Sequence, residues 1–315
     1  MGVIALVFDI LRDMAAQPGA QKETVKYLAE QMSGFIKKMD TVLICFPEQG
    51  SGSLSQLMEQ AVLQCDAIPV VWGADHRWKS LLRLAFSSRA CAMISTPLIV
   101  LGLAKLRSFY SIPLFVRNVV TAGYPCEDWM IDGIQRGFDC TCWGSFGMGT
   151  TGVVAGFSCP NVQGIHLRDT EYQVEIVGKE GTPLPEAESG EMVLSPVKAP
   201  ELRYFMGENA RLRTGRCVCG STQPLLTDIH PGRTEADRDL FELGKVLQNW
   251  NSILDCRLLK GPYGLELEIV TLPGGRLPKI PSAAKQCIRV FHPETDEPLP
   301  YDPTQKITEN GENSH

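Results

Sequence analysis

Four short apolar runs, separated by segments of helical spacing, constrain what this chain can fold into more than any other feature. The runs are TVLICF at 41–46, AIPVVW at 67–72, ACAMIS at 90–95 and LFVRNVVTAG at 114–123. Apolar side chains recur at helical intervals in 22–38, in the segment opened by GSGS at 50–53, around 77–86, and after Pro97 across 97–106. A brief, continuously apolar run is what a strand buried on both faces shows, and parallel strands require a crossover helix. The alternation therefore predicts βαβ units and a mainly parallel sheet. Ligands of such sheets bind outside the carboxyl ends of the strands.

From residue 160 the pattern changes. QVEIV at 173–177 and GEMVLSP at 190–196, joined by the turn-rich KEGTPLPEAESG, predict an antiparallel hairpin or small barrel. After HPGR at 230–233, the segment DRDLFELGKVLQNW reads as a helix, and ILDCRLLKG with LELEIVTLPGG reads as a strand pair. The expected fold is α/β: a mainly parallel sheet with helices over 1–158, a β-rich lobe over 159–232 and a small α+β lobe over 233–303. The polar tail 304–315 is expected to be disordered. With 315 residues and 44% apolar content, such a chain can bury a full core.

Charge and composition narrow the partners. The net charge of −6 comes with no basic block interleaved with aromatics, so nucleic acid is not expected as a partner. The most apolar stretch, about 90–104, contains Pro97 and falls short of the ~20 residues needed to cross a bilayer, so no membrane partner is expected. The first residues lack a basic leader and a cleavage site, which points to the cytoplasm. The eleven cysteines are scattered along the chain, a pattern that favours reduced thiols or metal ligands over a disulfide framework.

The stretch SFGMGTTGVVAGFSC at 145–159 reads as a glycine loop with four glycines and no charge. Around it stand TAGYP at 121–125, Cys159 and His166, GEMVLS at 190–195, RYFMGE at 203–208, CVCG at 217–220 and Gly232–Arg233. In this order and spacing, over roughly residues 40–275, the set resembles the adenylate-forming ligases, and within them the phenylacetate-CoA ligase-like branch. That resemblance implies activation of an organic acid as acyl-AMP and its transfer to coenzyme A or another thiol. It also implies ATP or AMP, magnesium and coenzyme A as ligands, and a nucleotide site drawn from Gly123, Tyr124, Pro125, Phe146, Gly147, Thr150, Glu208 and Arg233. Phe146 would lie against the base and Thr150 near the phosphate, while Glu208 would take the ribose hydroxyls.

Three departures bear on chemistry. EQGSGSLSQ at 48–56 is the nearest stretch to the family's phosphate loop and has no lysine. Thr150 stands where the family has a magnesium-binding Glu, and Thr is a poor ligand for a hard cation. Glu208 stands where the family has Asp, which keeps the charge and adds a methylene. Lys279 and Lys285 sit in no recognisable motif. Two functions therefore stay open: a ligase, or a relative that has lost catalysis and binds a nucleotide, an acyl compound, another protein or a second copy of itself.

Cys159, His166, Cys217 and Cys219 are the most specific constellation. Three thiolates and an imidazole are a closed tetrahedral set for structural zinc. The resemblance places a zinc-type structural site at the same positions. The bland alternative is three small buried hydrophobes and an ordinary histidine. Cys140 and Cys142 make a second Cys-x-Cys, read as part of a buried strand, and neither His76 nor His230 has a neighbouring nucleophile in sequence.

Overall fold

In the computed structural model the described residues are 10–46, 53–72, 77–123, 126–148, 153–231, 246, 250–261, 264–277 and 285–290. Helical residues 10–16 lead into α1 (Pro18–Met32), and the chain continues with β1 (Thr41–Cys45), α2 (Leu54–Gln64) and β2 (Ile68–Val71). Next come α3 (Trp78–Ser87), β3 (Ala92–Ser95), α4 (Pro97–Phe109), β4 (Asn118–Thr121) and α5 (Asp128–Phe138). The β-rich part comprises β5 (Thr141–Met148), β6 (Val153–Ser158), β7 (Ile165–Leu167), β8 (Tyr172–Val177), β9 (Ser189–Pro196), β10 (Tyr204–Arg213) and β11 (Leu225–Pro231). A small sheet holds β12 (Ile253–Gly261), β13 (Gly264–Thr271) and β14 (Lys285–Val290).

One 11-stranded sheet runs β2-β1-β3-β4-β5-β6-β7-β11-β10-β9-β8. The β2-β1-β3-β4-β5 half is parallel, as the apolar runs predicted, and the rest is antiparallel. β5 belongs to both halves: Thr141–Gly144 pair with β4 in parallel, and Ser145–Met148 pair with β6 in antiparallel.

Strand alternation splits the parallel half into two cores. Val42, Ile44, Ala92, Ile94 and Val120 face α1 and α2, while Leu43, Cys45, Met93 and Val119 face α3, α4 and α5. Two helix starts show why they begin there: Ser53 Oγ accepts from Gln56 N at 3.3 Å at the start of α2, and Pro97 opens α4 where no N–H is needed. α5 carries Asp128 in its first turn and Arg136 in its last, each matched to the dipole end it sits on. Trp78 is fully buried against Gly102, where a Cβ would overlap Trp78 Cη2.

The β-rich part has its own core, with Leu11, Phe146, Val153, Leu167, Val174, Met192, Leu194 and Ala210. Arg168, 6% exposed, anchors it to α1 by donating to Thr24 Oγ1 at 3.1 Å and lying over the Tyr27 ring at 5.2 Å. The small sheet docks on α4: Leu254, Val270 and Leu272 join the core that contains α4, and Lys105 Nζ donates to the Ile253 carbonyl at 2.7 Å.

Two expectations need correction. The 145–159 stretch is not simply a loop: 145–148 and 153–158 are strands that pair with each other, while residues 149–152 lie outside the described residues. Gly147 and Gly156 serve close strand approach: a Cβ at Gly147 would overlap the Val153 carbonyl oxygen, and one at Gly156 would crowd the His166 carbonyl oxygen. The small lobe has a third strand, β14, parallel to β13. The helix expected over 237–250 falls almost entirely outside the described residues.

Candidate metal centre and nucleotide site

The four metal candidates converge from three places. Cys159 follows β6, His166 sits in β7 beside β6 and β11, and Cys217 and Cys219 occupy the turn from β10 to β11. That turn is closed by hydrogen bonds from Gly220 N to Cys217 O at 2.9 Å and from Cys217 N to Ser221 O at 2.8 Å. Gly220 has φ +93°, a left-handed conformation in which a glycine costs least.

All four ligand atoms lie within 4.8 Å of one another. The Cys159 and Cys217 sulfurs are 3.7 Å apart, and His166 Nε2 is 3.2 Å from Cys219 Sγ. Two thiolates at the usual zinc–sulfur distance on a tetrahedron stand about 3.8 Å apart. His166 Nδ1 is 3.2 Å from the Gln223 carbonyl, which accepts only, so the ring proton is on Nδ1 and the Nε2 lone pair faces the sulfurs. A backbone carbonyl on the far nitrogen is the usual way a metal-ligating histidine is oriented. Asn161 N–H points at Cys159 Sγ at 3.5 Å. The Cys219 backbone N–H holds Cys217 below the ordinary thiol range, whereas burial pushes Cys159 up. The residue types, spacings and ring orientation fit a tetrahedral zinc ion.

The nucleotide candidates that are described, Gly123, Phe146, Gly147 and Glu208, fall in different parts of the sheet. Gly123, at φ +78°, lies two residues past the end of β4, at the carboxyl edge of the parallel half. A Cβ built there would touch Leu54, Thr96 and Phe46 at 3.5–4.0 Å, side chains that belong to the ends of neighbouring β-α connections. Phe146 is 7% exposed and packs in the β-rich core. Gly147 follows it on β5. Tyr124, Pro125, Thr150 and Arg233 lie outside the described residues, as do the 48–52 part of the phosphate-loop candidate, His76 and Lys279.

Glu208 is the best-defined of them. The β9–β10 ladder shifts register between Phe205 and Asn209, and Gly207 in that shift has φ +75°. A bulge of this kind re-aims a side chain. Burial pushes the Glu208 carboxyl up to about 7, and its Oε2 has no hydrogen-bond partner among the described residues. A desolvated carboxylate with a free acceptor suits a ligand that brings hydroxyl donors. The sequence named this residue; nothing in it signalled the burial, which depends on β11 lying alongside. His230, on β11, contacts the Asp228 carbonyl at 2.9 Å through Nδ1.

No protein-family model and no curated protein matches the chain. Solved structures do. A 2-hydroxyisobutyryl-CoA ligase in its postadenylation state, in complex with 2-HIB-AMP, superposes with a TM-score of 0.66 at 12% identity, covering 92% of this chain and 71% of that one. The chain has the adenylate-forming enzyme fold. A benzoate CoA ligase from Burkholderia xenovorans LB400 superposes with a TM-score of 0.54 at 12% identity, covering 85% of this chain and 62% of that one. The amide bond synthetase McbA from Marinactinospora thermotolerans gives 0.52 at 14%, covering 85% and 62%. Against the open conformation of the first ligase, the chain spans 61% of its length. Within the adenylate-forming fold, β10 with Glu208 and the Cys-x-Cys turn belong to the antiparallel half, and Gly123 to the parallel half. Among the described residues, no helix is long and apolar enough to cross a membrane.

Proposed function

We propose that this chain is an adenylate-forming ligase-like protein that holds the AMP part of an acyl-adenylate and activates an organic acid for transfer to coenzyme A or another thiol. The observation that carries this reading is the buried Oε2 of Glu208, which has no hydrogen-bond partner among the described residues, on the fold that the acyl-CoA ligases share. In this reading Glu208 accepts hydrogen bonds from the ribose hydroxyls, and Gly123, at φ +78°, lets backbone approach the ligand. The acid's carboxylate oxygen bonds to the α-phosphorus of ATP as the bond to pyrophosphate breaks; the thiol then attacks the acyl carbon and AMP leaves. Within the family, the phenylacetate-CoA branch is the finer assignment, supported by the order of the Cys, His and Cys-x-Cys motifs.

Zinc, in the same proposal, is held by Cys159, His166, Cys217 and Cys219 and has a structural role: a closed set of four ligands leaves no position for substrate. Thr150 offers no carboxylate for magnesium, so none of the steps above is assigned to that ion. The same Thr150 favours a second reading, in which the chain binds the nucleotide without turnover. Pyrophosphate exchange with a panel of aryl and fatty acids tests the first reading; no exchange at high enzyme and magnesium overturns it. A thermal shift with AMP then separates a nucleotide binder from a scaffold that has lost the ligand as well.

A further inference from the structure

The Cys159 and Cys217 sulfurs meet at 3.7 Å from unequal surroundings. Cys159, just past β6, is buried, whereas Cys217 is half-buried on the β10–β11 turn, next to an exposed Val218. Oxidant from solvent therefore reaches Cys217 first. Gly215 at φ +90° and Gly220 at φ +93° flank that turn, and a Cβ built at either would meet nothing within 4 Å. The turn has room to move at both ends. The third thiol is engaged elsewhere: Cys219 Sγ is 3.2 Å from His166 Nε2, and that ring is fixed through Nδ1 at the Gln223 carbonyl. A disulfide needs its sulfurs at about 2.05 Å, so Cys159 and Cys217 have less than about 2 Å to close.

We propose that Cys159 and Cys217 are an oxidation site, closed to a disulfide by hydrogen peroxide with expulsion of the zinc they hold. The Cys217 sulfur, as thiolate, attacks a peroxide oxygen: an S–O bond forms, the O–O bond breaks, and the departing hydroxide takes a solvent proton and leaves as water. The Cys159 thiolate then attacks the Cys217 sulfur. The S–S bond forms, the S–O bond breaks, and the second hydroxide leaves as water with another solvent proton. The two sulfurs together lose two electrons, and the peroxide gains them. A disulfide sulfur is no longer the thiolate that binds a metal, so two of the four zinc ligands are lost. His166 and Cys219 alone do not make the tetrahedral set. The new bond keeps the end of β6 tied to the β10–β11 turn, 58 positions away, where the ion had joined them. Zinc release rests on the metal reading above; the disulfide rests on the contact between the two sulfurs.

The test uses the full chain, zinc-loaded, treated with hydrogen peroxide in the presence of a chromophoric zinc chelator, blocked with an alkylating agent and digested without reductant. Cleavage after Phe157 and Arg168 isolates Cys159 from Cys140 and Cys142, and cleavage after Arg216 frees a peptide that begins at Cys217. The expected result is a peptide pair joined through Cys159 and Cys217, two hydrogens lighter than the separate peptides and parted by thiol reductant, with one zinc released for each link formed. Cys217→Ser should abolish the link, and Cys219→Ser should leave it in place. Recovery of Cys159 and Cys217 unlinked, a link from either to Cys219, or a link formed with zinc still bound overturns the proposal. A chain that takes up no zinc overturns the metal reading instead, and the peptide map of the metal-free chain then decides the disulfide by the same criteria.

Discussion

Cys159 Sγ lies 3.7 Å from Cys217 Sγ, although they are 58 positions apart in sequence, and His166 Nε2, from β7, lies 3.2 Å from Cys219 Sγ. If zinc joins these four, the purified chain should carry about one zinc equivalent by elemental analysis. Cys217→Ser should reduce it below half. Chelation should cost on the order of 3 kcal/mol or more, a fall in the thermal midpoint of roughly 6–12 °C for a chain of this size. Full zinc content in Cys217→Ser, or an unchanged midpoint after metal removal, would show that the cluster is not a metal site.

Glu208 sets a pH dependence of unusual sign. Its carboxyl titrates near 7 in the folded protein because of burial, against 4.5 in the unfolded chain. Between those values the native state retains a proton that the unfolded chain has released, so stability from this group falls as pH rises from about 4.5 to 7 and levels off above. Glu208→Gln should therefore stabilise the chain at pH 8, on the order of 2 kcal/mol by denaturant unfolding, and have little effect near pH 4. The same substitution should weaken AMP tenfold or more if the ionised carboxylate accepts the ribose hydroxyls, and wild-type AMP affinity should rise from pH 6 to pH 8. Equal AMP affinity in both proteins would remove Glu208 from the nucleotide site.

Gly156 couples the hairpin to the metal centre. A Cβ there would stand 2.6 Å from Ile165 Cγ2 and 2.7 Å from the His166 carbonyl oxygen, and backbone cannot yield as a side-chain tip can. Gly156→Ala should destabilise the chain by about 1–3 kcal/mol and displace β7 with His166. Zinc release to a competing chromophoric chelator should quicken. An unaltered release rate in a folded variant would mean that β7 is not what holds the imidazole.

Lys105 makes a polar contact of the small sheet with α4, donating to the Ile253 carbonyl at 2.7 Å beside the apolar contact of Leu254, Val270 and Leu272. Lys105→Met removes a charge-assisted hydrogen bond worth about 1–2 kcal/mol while keeping the aliphatic stem. Limited proteolysis should then cut the connection after β11 several-fold faster, with the rest of the chain as resistant as before. Identical cleavage kinetics would mean that the apolar contact alone secures the small sheet.

Local pattern made part of this molecule legible in advance. TVLICF and ACAMIS read as strands because both their faces are buried, one against α1 and α2 and the other against α3 to α5. QVEIV and GEMVLSP read as a hairpin for similar reasons and pair as β8 and β9. The 145–159 segment was misread because glycine signals a loop in isolation, while here it makes room for the backbone of a neighbouring strand. β7, β10 and β11 carry no clean alternation: His166, Glu208 and Arg211 interrupt them, and their partners come from distant segments. α5 was missed as well, since Gly133 and Gly137 weaken its helical signal; both pack close against α4, at Leu101 and Ala104.

The amino-acid order alone determined which groups are available: the βαβ alternation, three thiols and an imidazole in family order, and a carboxylate near the end of the RYFMGE motif. Periodicity and residue chemistry are properties of neighbours along the chain, and that is as far as they reach. Only the tertiary structure decided that Cys159 meets Cys217, and that Glu208 Oε2 is shielded from water with no hydrogen-bond partner among the described residues. Each of those depends on strands far apart in sequence closing on one another, where burial and distance, rather than residue type, set the chemistry.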